Sequence, residues 1–121
     1  MAVARDFRKL QVWGKGHKLT LSVYATTGTF PKEELYGLTS QMRRAAAAIP
    51  TNIAEGCGKG TDPELARYMQ ISMGSTSELE YQLILARDLH YIDVETYQRL
   101  HDDTIEVKKM LGPFIKRLQG R

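Results

Sequence analysis

Gln41-Met-Arg-Arg-Ala-Ala-Ala-Ala-Ile-Pro-Thr-Asn-Ile-Ala-Glu-Gly56 is the stretch on which the fold turns. With its approach it carries a seam of Leu35, Leu38, Met42, Ala45, Ile49 and Ile53. Steps of three and four residues put these side chains on one face of an α-helix. Such near-heptad spacing wants antiparallel packing against other helices. Four consecutive alanines are of little use on the surface of a small monomer. They suit a helix pressed by neighbours from several sides. Pro50 removes one backbone donor, so the carbonyl of Ala46 loses its intrahelical partner. The seam continues in register past the proline, which predicts a bend and not a break.

Outward from this helix, the same periodicity recurs and no strand-like alternation competes with it. The central helix is expected over 33–56, with Pro31 in its first turn and Glu33 and Glu34 at the positive end of its dipole. Upstream, Trp13, Gly16, Leu19 and Val23 place a helix over 12–27. Gly14 and Gly16 each cost it roughly 1 kcal/mol against alanine, so either it starts late or a neighbour approaches closely there. Gly28 suits a left-handed C-terminal position. Downstream, Asp62-Pro63 reads as a cap and first helical residue. The third helix is expected over 63–90, with Gly74-Ser75-Thr76-Ser77 supplying small side chains where the alanine-rich helix would approach. Asp93 caps a fourth helix over 94–119, whose Tyr97, Leu100, Thr104, Val107, Leu111, Phe114 and Leu118 form the cleanest heptad in the chain. Four long helices with short links predict an all-α, antiparallel up-down-up-down bundle filling residues 1–121 as one domain.

A chain of 121 residues can bury such a core without staples. No apolar run approaches the ~18 residues of a membrane span. Met1-Ala-Val-Ala-Arg-Asp6 lacks the apolar centre of a signal peptide. The one cysteine, Cys57, allows no internal disulfide. A cytoplasmic setting is the expectation. The net charge of +3 is mild, but its distribution is uneven. The chain up to Lys18 carries +4, Glu78 to Glu106 carries −6, and Lys108 to Arg121 carries +5. Basic ends around an acidic segment fit an anionic partner, or subunits that meet through opposite charge.

Few residue constellations carry chemistry. Gly56-Cys57-Gly58-Lys59-Gly60-Thr61 lacks the spacing of a phosphate-binding loop and follows a helix instead of a strand. No Glu-x-x-His pair for a di-iron site occurs, and His17, His90 and His101 have no ligand at metal spacing. Cys57 has only Lys59 nearby to activate it and no base. Glu78/Glu80 and Asp102/Asp103 do not share helix faces. Glu78 is better placed to pair with Arg43 or Arg44 of a neighbouring helix. No cofactor or metal is expected, and no catalytic residue. Arg43 and Arg44, with Thr51, Asn52 and Glu55, form a polar strip on an otherwise apolar helix. It serves either hydrogen bonding between helices or subunits, or forked phosphate contacts to RNA. No aromatic stacking platform accompanies it in the sequence.

Leu10-Gln-Val-Trp13, Val23-Tyr24, Phe30-Pro31, Gly37-Leu38-Thr39, Gln41-Met-Arg-Arg-Ala-Ala46, Ile49-Pro-Thr-Asn-Ile-Ala-Glu-Gly56, Gly74-Ser75 and Glu78 together resemble the bacterial proteins related to the 23S ribosomal RNA intervening-sequence protein, the S23-type family. The likeness runs from about Phe7 to Leu118. Cys57-Gly58-Lys59 departs from it, where Ser or Tyr would precede the glycine. The resemblance implies a left-handed four-helix bundle assembling as a homopentamer, with no enzymatic activity. It also implies RNA, other nucleic acid or a protein as partner. The candidate nucleic-acid contacts are Arg43, Arg44, Lys59, Lys108 and Lys109. Asn52, Glu55, Gly56, Ser75 and Glu78 are candidates for the motif and for assembly. A non-enzymatic, oligomeric binding module for RNA or other nucleic acid is the expected function. A scaffold for a protein partner, with the polar strip serving assembly, is the alternative.

Overall fold

The helix that holds Pro50 is continuous from Leu38 to Gly58 in a computed structural model that describes residues 5–120. The long helices, in chain order, are α1 (Gln11–Thr27), α2 (Leu38–Gly58), which holds Pro50, α3 (Asp62–Asp88) and α4 (Val94–Leu118). Short 3-10 turns at Phe7–Lys9 and Lys32–Glu34 precede α1 and α2. Among the described residues there are no strands. Each helix packs on two neighbours, in the order α1, α2, α3, α4 and back to α1, with none packed across the diagonal.

Pairings between helices set their directions. Gly16 lies against Ile49, while Thr20 bonds to Ala46 and Thr27 to Arg43. Rising numbers on α1 thus meet falling numbers on α2. Gly56 meets Leu65 and Ser72 meets Ile49, so α2 and α3 are antiparallel. Glu80 pairs with Lys108, and Lys15 with Glu106, which closes the cycle. The bundle is up-down-up-down, as the short links require.

The seam of α2 is buried at Leu38, Met42, Ala45, Ile49 and Ile53, and Ala46 is buried beside it. Thr20 of α1 answers the proline. Its Oγ1 lies 2.9 Å from the Ala46 oxygen, the carbonyl that Pro50 leaves without an N–H, and 2.8 Å from the Gly16 oxygen of its own helix. Gly16 is what lets α1 come this close, since a Cβ there would lie 3.0 Å from Cγ2 of Ile49 and 3.6 Å from the Pro50 ring. Gly14, by contrast, has nothing within 4 Å of where a Cβ would stand.

Several expectations are corrected. The central helix begins at Leu38 and not at residue 33, because Gly37 adopts φ −113° and ψ −115°. Glu34 makes that start by accepting the Leu38 N–H at 3.1 Å, and Leu35 is left exposed. Gly28 is right-handed at φ −61°; among the described residues positive φ falls instead at Gly60 and Gly120 and at one non-glycine residue, His90, at φ 63°, just beyond α3. Thr61 caps α3, while Asp62 begins it and pairs with Arg5 at 2.8 Å. The close approach of α2 and α3 does not use Gly74, which is open. It uses Gly56, where a Cβ would meet Cβ of Tyr68 at 2.8 Å and Cδ1 of Leu65 at 2.9 Å. In α4 the buried seam is Leu100, Thr104, Val107, Leu111 and Ile115, with Phe114 and Leu118 only partly covered. A straight helix drifts against a strict seven-residue repeat, so burial passes to the next position. Asp93 caps α4 as expected, accepting the Thr96 N–H at 2.8 Å.

Candidate nucleic-acid interface

Because α1 and α4 are antiparallel, the basic start of the chain and its basic end meet at one end of the bundle. Between them lies a groove of about 340 Å³. Lys9, Lys109 and Arg117 line it, with Val12, Met110 and Phe114 as its apolar wall. No carboxylate of the described residues lines it. The neighbouring cations are otherwise engaged: Arg5 with Asp62, Arg8 with Asp6, Lys15 with Glu106 and Lys108 with Glu80. Lys9, Lys109 and Arg117 have no such partner among the described residues, and Arg117 lies over the Phe114 ring at 5.2 Å. Lys116 and Arg117 also complement the negative end of the α4 dipole, which accounts for their position in the last turn. Lys9 and Lys109 have no such explanation. Three like charges on one groove repel, and an anion in it relieves that repulsion.

The other flank of α1, toward α2, carries an aromatic ladder. The Phe7 and Trp13 rings are 4.9 Å apart and tilted. Trp13 and His17, one turn apart, are stacked at 5.1 Å with only 5° between their planes. They overlook an open groove of about 530 Å³, whose far side is Pro50, Thr51 and Glu55 of α2. Glu55 is exposed and has no ion-pair partner among the described residues.

The remaining predicted site residues are dispersed. Arg43 is committed to α1: its Nε donates to Thr27 Oγ1 at 2.8 Å, Nη2 to the Tyr24 oxygen at 3.3 Å, and the guanidinium lies 4.8 Å from the Tyr24 ring centre. Arg44, a helix step of about 100° away, is exposed. Lys59 lies 5.5 Å from the Tyr68 ring centre, and Lys108 is held by Glu80 at 2.7 Å. Asn52 donates back to the Ala48 oxygen at 2.8 Å in its own helix. Glu78 does not reach Arg43 or Arg44; it is exposed and accepts from Gln82 Nε2 at 3.3 Å. Gly56 serves the α2–α3 contact, and Ser75 is half-buried beside the open Gly74. Of the five candidate cations only Lys109 lies in the basic groove. Lys9 and Arg117 were legible as parts of basic ends, but their meeting depends on the pairing of α1 with α4. Arg121 lies outside the described residues.

Chemistry elsewhere is sparse. Cys57 is buried, and burial pushes its thiol up, against the thiolate form. No group of three or more His, Cys, Asp or Glu side chains converges as a metal site among the described residues. No described helix is long and apolar enough to cross a membrane.

With this geometry in place, comparison with known proteins is informative. The family model for the 23S rRNA-intervening sequence protein matches residues 8–113. Among solved structures, the chain is similar to a protein of unknown function from the S23 ribosomal protein family of Bacteroides thetaiotaomicron. The two are 24% identical, with a TM-score of 0.80 over 87% of this chain and 95% of that one. At that identity the likeness shows the fold. No curated protein matches the chain.

Proposed function

We propose, from the premise that this chain belongs to the 23S rRNA-intervening sequence protein family, that it is a non-enzymatic, oligomeric binding module for RNA. The observation that carries the reading is the groove of Lys9, Lys109 and Arg117, three cations without carboxylate partners on one apolar-walled surface. Arginine and lysine around a groove contact phosphates with little regard to sequence. One copy offers too few contacts for tight binding, and a ring of copies multiplies the field and the valency. The association of the family with 23S ribosomal RNA makes structured RNA the first ligand to try.

A protein partner is the competing reading. It is favoured by Ile71 and Tyr81, large apolar side chains left exposed among the polar residues on the outer side of α3. Fluorescence anisotropy with labelled ribosomal RNA fragments at low salt separates the two, with light scattering to fix the oligomer. The RNA reading expects saturable binding that weakens steeply with salt. Absence of RNA binding at low salt, by an oligomer that is intact, refutes it.

A further inference from the structure

The aromatic ladder and the basic groove share one turn of chain. Phe7 faces the first and Lys9 the second, two residues apart in the same 3-10 turn. Between them runs the outer face of α1. Gly14 lies on that face, and nothing stands within 4 Å of where its Cβ would be. Lys18, one turn further along, is exposed. We infer that a single strand of RNA crosses α1 over Gly14, with its phosphates in the groove of Lys9, Lys109 and Arg117 and an unpaired base stacked on the Trp13–His17 ladder. This inference rests on the RNA-binding reading and names the form of RNA that the site takes.

The chemistry of the two grooves decides which takes phosphate and which takes a base. The basic groove has no carboxylate and attracts phosphate. The aromatic groove has Glu55 and no lysine or arginine, so it repels phosphate. It offers ring faces for stacking, and a carboxylate that can accept a hydrogen bond from the amino edge of a base. A base can enter and its phosphate is kept outside. Aromatic side chains beside a basic track are the usual means of holding unpaired bases, because every base has a stacking face. A duplex can use the phosphate groove but cannot place a paired base on the ladder.

Trp13 is the only tryptophan in the chain, so its fluorescence reports on the ladder directly. The test titrates the whole protein at low salt with an unstructured oligoadenylate of about 12 nucleotides, within the span such sites cover, and with a blunt RNA duplex of equal length. The expected result is quenching of Trp13 by the single strand and not by the duplex. His17→Ala, at an exposed ring, lowers single-strand affinity about tenfold, the size of one stacked base, and leaves duplex affinity within about twofold. Gly14→Leu does the same while raising the melting temperature, because leucine is the better helix former and nothing obstructs it. Lys109→Ala weakens both RNAs alike. Equal binding of both RNAs with unchanged Trp13 emission overturns the inference and leaves the RNA-binding reading standing. Single-strand affinity unaffected by both His17→Ala and Gly14→Leu also overturns it. Failure of both RNAs to bind at low salt removes the inference and the RNA-binding reading together.

Discussion

Replacing Thr20 with valine isolates the contact by which α1 accommodates the proline of α2. Valine keeps the shape of threonine and puts a methyl, which donates no hydrogen bond, in place of the hydroxyl. Thr20 is buried, and its Oγ1 is the group 2.9 Å from the orphaned Ala46 oxygen. The Gly16 oxygen, 2.8 Å from the same hydroxyl, still has its own helical N–H partner. The loss is therefore one buried carbonyl left unsatisfied, about 1–3 kcal/mol. In a domain of this size ~2 kcal/mol lowers the melting temperature by roughly 6–10 °C. Thr20→Ser, which keeps the hydroxyl, should cost about 1 kcal/mol or less, the loss of one methyl. Pro50→Ala supplies the missing N–H, so Thr20→Val in that background should cost at least ~1 kcal/mol less than in the wild type. Urea melts of the four corners of this cycle measure the coupling. A Thr20→Val variant as stable as wild type, or strict additivity with Pro50→Ala, refutes the claim that threonine satisfies the carbonyl.

Three further outcomes follow from particular contacts. Gly56→Ala should destabilise by about 1–3 kcal/mol, because its Cβ would lie 2.8 Å from that of Tyr68. Gly74→Ala, in open space on the same helix pair, should stabilise by up to ~1 kcal/mol; denaturant melts compare the two, and equal effects would contradict the assignment of the close approach. His90→Gly should raise stability by about 0.5–1 kcal/mol, since a non-glycine residue is held at φ 63°; a thermal melt with no rise would show that the His90 side chain compensates. The Glu34 carboxyl sits below its ordinary 4.5, first through the Leu38 N–H and then through the Tyr91 hydroxyl at 2.8 Å. A depressed folded-state value stabilises above the unfolded value, and that stability is lost as pH falls through the folded one. Glu34→Gln should therefore flatten the loss of stability below about pH 4.5, and chemical melts between pH 3 and 7 would show an unchanged slope if the bonds were absent in solution.

What the residues reveal by themselves divides along physical lines. The seams from Leu38 to Ile53 and from Leu100 to Leu111 are local periodicities, so they are legible, and with short links they imply the bundle. The start of α2 is not legible. It depends on Glu34, which caps Leu38 and also receives Tyr91 from 57 positions away. Pro50 shows in the sequence that Ala46 needs a donor, but only the packed bundle identifies Thr20 as that donor. Arg43 and Arg44 look equivalent in the sequence; one helix step sends the first to Thr27 and Tyr24 and the second to solvent. The basic ends were visible as charge, and the antiparallel arrangement turns them into one groove. Trp13 and His17 stack one turn apart within α1, a spacing the sequence shows, whereas the tilted contact of Phe7 on Trp13 needs the 3-10 turn to fold back on α1.

If phosphates sit between Lys9, Lys109 and Arg117, RNA binding depends on salt through those three cations. Labelled RNA is titrated against wild type, against a Lys9→Ala/Lys109→Ala/Arg117→Ala variant, and against Arg44→Ala as a control. Each phosphate contact contributes about 0.7–0.9 to the slope of log affinity against log salt. The triple variant should lose roughly 2–3 units of slope per engaged groove and bind weakly even at low salt, while Arg44→Ala matches wild type. A triple variant with the wild-type slope, or a loss confined to Arg44→Ala, contradicts it.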